Sequence, residues 1–352
     1  MDISFAIIDW FSGNGRDLPW RQTRDPYKIW LSEVILQQTR VQQGTAYYHR
    51  FEEKYPDVNS LAAAEEEEVL SLWQGLGYYS RGRNLLDTAR RIVQDHGGKF
   101  PDNYRDLIRL KGIGPYTAAA IASFAFGENV AAVDGNVIRV ICRLFAVEED
   151  VKRSSVTKKI KEIAESLLPE GKSWEYNQAM MELGATVCTP ANPACARCPV
   201  QASCLACKKG LQKKLPVKSP APERRIRYFN YLLPEFRGSF AFRRRETEDI
   251  WKGLFEPVLI ESDKAFIHPE DFFQHLPETA GKALKTRILP PEKCLLSHQE
   301  IIVSVCLWHM EEDYDLGAFR WISGKELGPL PKPVIFSRIL QKLDSAALYL
   351  AF

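Results

Sequence analysis

Two carboxyl side chains stand in surroundings suited to opposite jobs. Glu33 lies in WLSEVILQQTRVQQ, whose spacing predicts one helix, and a helical wheel sets it beside Trp30, Leu36 and Gln37 at the margin of an apolar face. Partial burial there raises a carboxyl pKa and keeps the group protonated, able to donate. Asp134 precedes Gly135 and a predicted helix over Asn136–Phe145, where a cap position keeps a carboxylate ionised and aimed. One protonated acid and one anion is the division of labour that cleaves glycosidic bonds, because positive charge builds up on the sugar. Plainer roles fit the same residues: a surface glutamate on an amphipathic helix, and an ordinary Asp-Gly turn.

A second constellation is built from sulfur. Cys188, Cys195, Cys198 and Cys204 follow the order C-x6-C-x2-C-x5-C, and thiolates so spaced hold either zinc or an iron–sulfur cluster. Cys207 adds a second C-x2-C pair after Cys195 and Cys198, so those two pairs could form a zinc ribbon that leaves Cys188 out. Cysteines gathered in one short stretch of a long chain point to a metal site in a reducing compartment rather than to a disulfide framework. Cys142, Cys294 and Cys306 read as buried small hydrophobes.

Other elements must position these groups. In LKGIGPYTAAAIASFAF, Tyr104–Leu110 predicts a short helix and Pro115 opens another, since proline at a first helical position gives up an N–H that had no partner. Gly112 and Gly114 between them permit positive φ and close approach of the backbone to another molecule. Free N–H groups at the second helix's start make a phosphate site. A structural turn between two helices fits these glycines equally.

Composition bounds the rest. At 352 residues and 45% hydrophobic, the chain has room for two or three domains with their own cores. Its start, MDISFAIIDW, carries acids where a signal peptide is basic, and the apolar run Ala118–Phe126 is too short to span a bilayer. A cytoplasmic, nucleoid-associated protein with no membrane partner is expected. The net charge of +2 says little, but Arg197–Arg227 carries nine basic residues against Glu223 alone. That run suits phosphate contacts or a solvated linker. LPVKSPAPE, with three prolines, predicts a semi-extended connection.

Before it the texture is helical, with further helices expected over Asp57–Gln74 and Arg83–Val93. After it, Arg227–Phe236 and Ser239–Arg244 predict a hairpin turning at Arg237-Gly238. Strands are expected over Gly253–Ile260 and Glu300–Trp308, and helices over Glu270–Lys285 and Val334–Leu343.

Taken together, the cysteine spacing, LKGIGPYTA, VDGN and WLSEVILQQ resemble the adenine DNA glycosylases of the helix-hairpin-helix, iron–sulfur superfamily. The resemblance implies a multidomain chain: an all-α helix-hairpin-helix glycosylase with an iron–sulfur loop, followed by an α+β Nudix-like domain. It implies a glycosylase domain over 1–214, with a six-helix part at about 20–128 and a cluster-bearing part at about 1–19 and 129–214. A linker at 215–226 and a lesion-recognition domain at 227–352 complete it.

By the same resemblance, Glu33 protonates the leaving adenine, Asp134 stabilises or captures the sugar cation, and Asn136 assists near the sugar. Tyr116 stands where lyase-competent relatives keep a Schiff-base lysine, which implies a monofunctional enzyme. Trp20, Arg21 and Gln178 line the adenine pocket; Gln38, Leu76 and Tyr78 fill the gap left by a flipped base; Gly112 and Gly114 grip phosphate. Cys188, Cys195, Cys198 and Cys204 hold a [4Fe–4S] cluster. Ser297 and His298, in a loop that has Leu296 where the family has an aromatic residue, read 8-oxoguanine. The implied partner of this monomer is double-stranded DNA with A:8-oxoguanine or A:G mispairs. Rival readings are a bifunctional endonuclease III-like glycosylase/lyase and a non-catalytic DNA-binding iron–sulfur protein. The rest of the C-terminal half carries no REUxEExGU hydrolase signature.

Overall fold

The computed structural model describes residues 2–220, 222–275, 285–311 and 316–349, with side chains to 343. They fall into two compact units: Met1–Ala64 with Asn84–Pro220, and Glu65–Arg83 with Ala221–Phe352.

The first unit is helical. Helix Pro26–Leu36 is capped by Asp25, whose carboxylate accepts from Tyr27 N at 2.9 Å, and Pro26 occupies its first turn. Everything from Ile29 to Ile35 is buried, so this helix is a core element rather than an amphipathic surface one. It packs on helix Pro115–Phe126, where the run Ala118–Ala122 lets backbones approach closely. A second core joins helices Ile3–Asn14, Gly135–Leu144, Ser154–Ser166 and Ser173–Thr186, and Cys188, Cys198 and Cys204 pack against it.

Two expected helices are divided. The segment around Glu33 breaks after Leu36, because Gln38 takes a left-handed φ of 59°, and helix Val41–Lys54 follows. Asp57–Gln74 becomes Val58–Ala62 and Glu66–Leu72. The first is closed by an Asp57–Ser60 capping box, and the second starts afresh with Glu66, Glu67 and Glu68 in its first turn, where acids favour the helix dipole.

The second unit holds a mixed sheet of seven strands: β1 Arg225–Phe236, β2 Ser239–Arg244, β3 Phe255–Glu256, β4 Val258–Ser262, β5 Lys285–Leu295, β6 Gln299–His309 and β7 Arg320–Ser323. The order is β3-β2-β1-β6-β5, with β4 also on β1 and β7 on β2. The hairpin of β1 and β2 turns at Arg237 and Gly238 with φ of 49° and 78°, the left-handed pair that a tight two-residue turn demands. β1 runs parallel to β6 through Arg225↔Gln299 to Glu235↔His309. Alternate residues face two cores: Phe229, Tyr231, Leu233, Val303 and Val305 meet Ile335, Phe336 and Ile339 of helix Val334–Tyr349, while Leu232, Cys306 and Trp308 meet Phe266 and Phe272. A sheet covered on both faces explains the long apolar runs.

The helix expected over Glu270–Lys285 is corrected. Only Pro269–Phe273 is helical, Lys285 already belongs to β5, and 276–284 lie outside the described residues.

Candidate active site

Glu33 sits on a helix that is apolar all round, and it is 7% exposed. Burial therefore pushes its pKa up to about 7, helped by the negative charge of Asp134 and opposed by Tyr116 and Arg21. The Tyr116 hydroxyl donates to Glu33 Oε2 at 2.6 Å. That oxygen is an acceptor, so the exchangeable proton of the acid form belongs on Oε1. Tyr116 itself is the second residue of helix Pro115–Phe126, and the same hydroxyl lies 3.8 Å from Met181 Sδ.

Asp134 caps helix Gly135–Leu144. Its Oδ1 accepts from Asn136 N at 2.9 Å and Val137 N at 2.8 Å, and its Oδ2 accepts from Asn136 Nδ2 at 2.6 Å. Burial raises its pKa above the ordinary value, while these bonds and the charge of Arg139 act the other way. All three partners are donors, so they favour the charged form. Its charge acts on both Glu33 and Tyr116, which places the acid, the phenol and the anion in one electrostatic neighbourhood. Gly184 makes this possible from the opposite helix, because a Cβ there would meet Asn136 Cβ at 2.6 Å.

The residues expected around the base divide in role. Trp20 is buried edge-on to Tyr48, with centroids 5.4 Å apart. Arg21 Nε donates to Gln178 Oε1 at 2.7 Å, its Nη2 to Glu182 Oε2 at 2.8 Å and its Nη1 to Arg16 O at 2.9 Å. A guanidinium cannot accept, so Gln178 must turn its oxygen to Arg21 and keep its NH2 for something else. Glu182 is fully buried and also takes Arg16 Nε and Nη2 at 2.6 and 2.9 Å, which holds its pKa low despite burial.

Gln38 is exposed at the break between helices, in the left-handed conformation noted above. In the hairpin, Leu110 and Ile113 are buried while Gly112 and Gly114 are exposed. Gly112 has φ of 82°, and Gly114 caps helix Pro115–Phe126 with open space where a side chain would be.

Leu76, Tyr78, Ser297 and His298 belong to the second unit. Gly75, Gly77 and Tyr78 have φ of 100°, 69° and 46°, and the turn is pinned by Trp73 Nε1 on Gly77 O at 3.0 Å. Leu76 is buried, whereas Tyr78 is 45% exposed and its hydroxyl bonds Ser297 Oγ. Ser297 and His298 form the exposed tip between β5 and β6, closed by Leu296 N on Gln299 O at 2.8 Å. Within this unit Tyr78, Arg83, Trp251, Leu296, Ser297 and His298 border a cavity of about 470 Å³.

Cys188, Cys195, Cys198, Cys204 and Cys207 line another cavity, of about 30 Å³. Arg143, 2% exposed, donates to Cys188 Sγ at 3.3 Å and to the carbonyls of Cys188, Thr189, Pro190 and Leu215 at 3.2, 2.8, 2.9 and 3.0 Å. Arg139 spans the distance to the catalytic side: its Nε donates to Cys188 O at 2.7 Å and its Nη2 to Asn136 Oδ1 at 2.8 Å.

Residues 31–166 match the HhH-GPD superfamily of base excision DNA repair proteins. The adenine DNA glycosylase of Buchnera aphidicola (subsp. Baizongia pistaciae) is 32% identical over 310 residues, covering 85% of this chain and 84% of that protein. This chain belongs to the adenine DNA glycosylase family.

The adenine DNA glycosylases of Rattus norvegicus and Homo sapiens are each 44% identical, over 62% and 60% of this chain but only 44% and 40% of their own length. The chain thus spans less than half of these mammalian relatives. Among solved structures, a thermostable thymine-DNA glycosylase aligns with a TM-score of 0.55 at 32% identity, covering 58% of this chain and 95% of that one. Endonuclease III in a non-covalent DNA complex aligns at 0.52 and 24% identity over 60% of this chain and 97% of its own, and shares the fold.

For a member of the adenine DNA glycosylase family, Glu182, Arg16, Arg139 and Arg143 are the site residues that the sequence did not single out. A charged residue on a mostly buried helix, such as Glu182 in SWEYNQAMMELGAT, was the available signal.

Proposed function

We propose that this chain is a monofunctional glycosylase that hydrolyses the N-glycosidic bond of adenine opposite 8-oxoguanine or guanine in double-stranded DNA. The observation that carries the reading is the grouping of a carboxyl with a pKa of about 7, a phenol bonded to it, and a capped aspartate whose charge reaches both. Glu33 Oε1 gives its proton to the departing base, and Asp134 faces the cationic sugar until water adds. Arg21 fixes the Gln178 amide so that its NH2 meets a ring-nitrogen acceptor of the base. A non-catalytic scaffold has no use for a buried, unneutralised glutamate, which favours the enzyme over the DNA-binding alternative.

Five thiols around one cavity, with an arginine donating to Cys188, fit a cluster held by Cys188, Cys195, Cys198 and Cys204. A zinc ribbon on Cys195, Cys198, Cys204 and Cys207 would leave Cys188 idle on the same cavity. Such a cluster supplies structural organisation to the loop rather than a redox step in hydrolysis. The two-sided mixed sheet supports a Nudix-like reading of the second unit, and the Tyr78–Ser297 pair on its cavity supports that unit as the reader of the opposite base.

Incubation with A:8-oxoguanine, A:G and A:T duplexes, followed by alkali, tests the whole reading. Strand breaks at adenine in the two mispairs, absent from A:T and absent without alkali, are expected. Nicking before alkali would mean a lyase, which Tyr116 in the lysine position argues against.

Two variants refine it. Tyr116→Phe removes a hydrogen bond that lowers the Glu33 pKa, so the pH at which excision declines should move upward. The rate at lower pH should fall about tenfold, the loss of one hydrogen bond to a carboxyl. An unmoved decline would remove Tyr116 from the acid's control. Changing Ser297 and His298 together to Ala should narrow the A:8-oxoguanine over A:G binding preference by about tenfold at fixed salt, the worth of one base contact. An unchanged ratio of binding constants would exclude this loop from reading the opposite base.

A further inference from the structure

The sulfur-lined cavity carries one thiol more than a four-ligand cluster uses. Cys207 is three residues beyond Cys204 on helix Leu205–Lys209, a spacing that puts both on one helix face. Both line the cavity, together with Cys188, Cys195 and Cys198. Cys207 and Cys195 are hydrogen-bonding neighbours, and no other thiol acts on Cys195 more strongly.

The five thiols are not held alike. Cys188 is locked from several sides: its N donates to Leu183 O at 2.7 Å, its O accepts from Arg139 and Arg143, and its Sγ accepts from Arg143. Cys195 opens a three-residue 3-10 turn, Cys195–Arg197, with no side-chain cap. It is therefore the thiol whose place a neighbour can take.

We propose that Cys207 is a reserve ligand that replaces Cys195 on the cluster. The proposal rests on the iron–sulfur reading of this loop. In the exchange, the bond from iron to Cys195 sulfur breaks and one from iron to Cys207 sulfur forms. The thiol proton of Cys207 passes to the released Cys195 thiolate, so charge and oxidation state are unchanged. A glycosylase with such a reserve keeps its loop in place when Cys195 is oxidised or alkylated, an exposure that ligand thiols of a surface loop share.

The test compares the full-length wild type with C195S, C207S, C188S and C195S/C207S, all prepared anaerobically. Iron, acid-labile sulfide and the visible thiolate-to-iron absorption are measured, and Cys207 is probed with N-ethylmaleimide on the native protein before mass spectrometry. Wild type and C207S should carry the same cluster, with Cys207 alkylated in the wild type. C195S should keep more than about half of the wild-type iron, with Cys207 now protected, while C188S and C195S/C207S should lose it about tenfold or more. A C195S chain recovered without iron, folded or not, overturns the proposal, because the reserve thiol should have kept cluster and fold together. So does a C195S cluster that survives in C195S/C207S. Wild-type protein with stoichiometric zinc and no sulfide would overturn the cluster reading itself, an outcome separate from these.

Discussion

Glu33→Gln should yield a protein that binds an adenine-mispaired duplex as tightly as the wild type and excises almost no adenine. The amide fills the same volume and still accepts from the Tyr116 hydroxyl, but its NH2 cannot surrender a proton. Loss of a positioned general acid costs about 10²–10⁴ in rate. In the wild type, single-turnover excision should fall as pH rises through about 7, where Glu33 gives up its proton. Stability carries the same signature. A carboxyl with a folded pKa of about 7 and an unfolded value near ~4.3 favours the fold fully below the lower value, and that contribution is lost as pH rises through the upper one. At pH 8 the wild type therefore bears a penalty on the order of 3 kcal/mol that Gln does not. Thermal unfolding should find Glu33→Gln the more stable protein at pH 8, with the gap closing toward pH 4. Near-normal single-turnover excision by this variant would remove Glu33 from proton transfer.

How much of this was legible in the sequence follows from which interactions are local. The Asp134 cap, Pro115 at a helix start and the Arg237-Gly238 turn are set by residues within a few positions of one another, and the structure has each of them. The partition of Glu33 onto a helix was legible too, but not its depth: burial from every side depends on helix Pro115–Phe126, distant in sequence. The break at Gln38 was hidden because no glycine or proline marks it; a glutamine takes the left-handed conformation instead. Strand β5 was missed because Pro290 and Pro291 interrupt its pattern, and the ladder with β6 shifts register there, between Leu289 and Glu292. Glu182, Arg139 and Arg143 were silent for a different reason. Each earns its role from partners across the fold, such as Arg16 and Arg21, or the carbonyls of Cys188 and Leu215. No local pattern announces that.

Asp134→Asn should separate the two duties that one carboxylate performs. As a cap, Asp134 satisfies the N–H groups of Asn136 and Val137, and asparagine is as good a cap as aspartate. The helix Gly135–Leu144 should therefore keep its start, and thermal stability should change by less than about 1 kcal/mol. What disappears is the charge. The developing sugar cation then faces a neutral amide, and preorganised electrostatic stabilisation of that kind is worth about 10²–10³ in rate. A second effect follows from the shared neighbourhood: the Asp134 charge raises the Glu33 pKa, so without it Glu33 should give up its proton at lower pH. Residual excision by Asp134→Asn should accordingly decline at a lower pH than wild-type excision does, a shift that a purely structural defect would not produce. Alanine makes the control, because it removes cap and charge together and should lose about 1 kcal/mol of stability besides. If Asp134→Asn excises adenine at the wild-type rate, the anion facing the sugar is some other group, and the assignment of Asp134 falls with it.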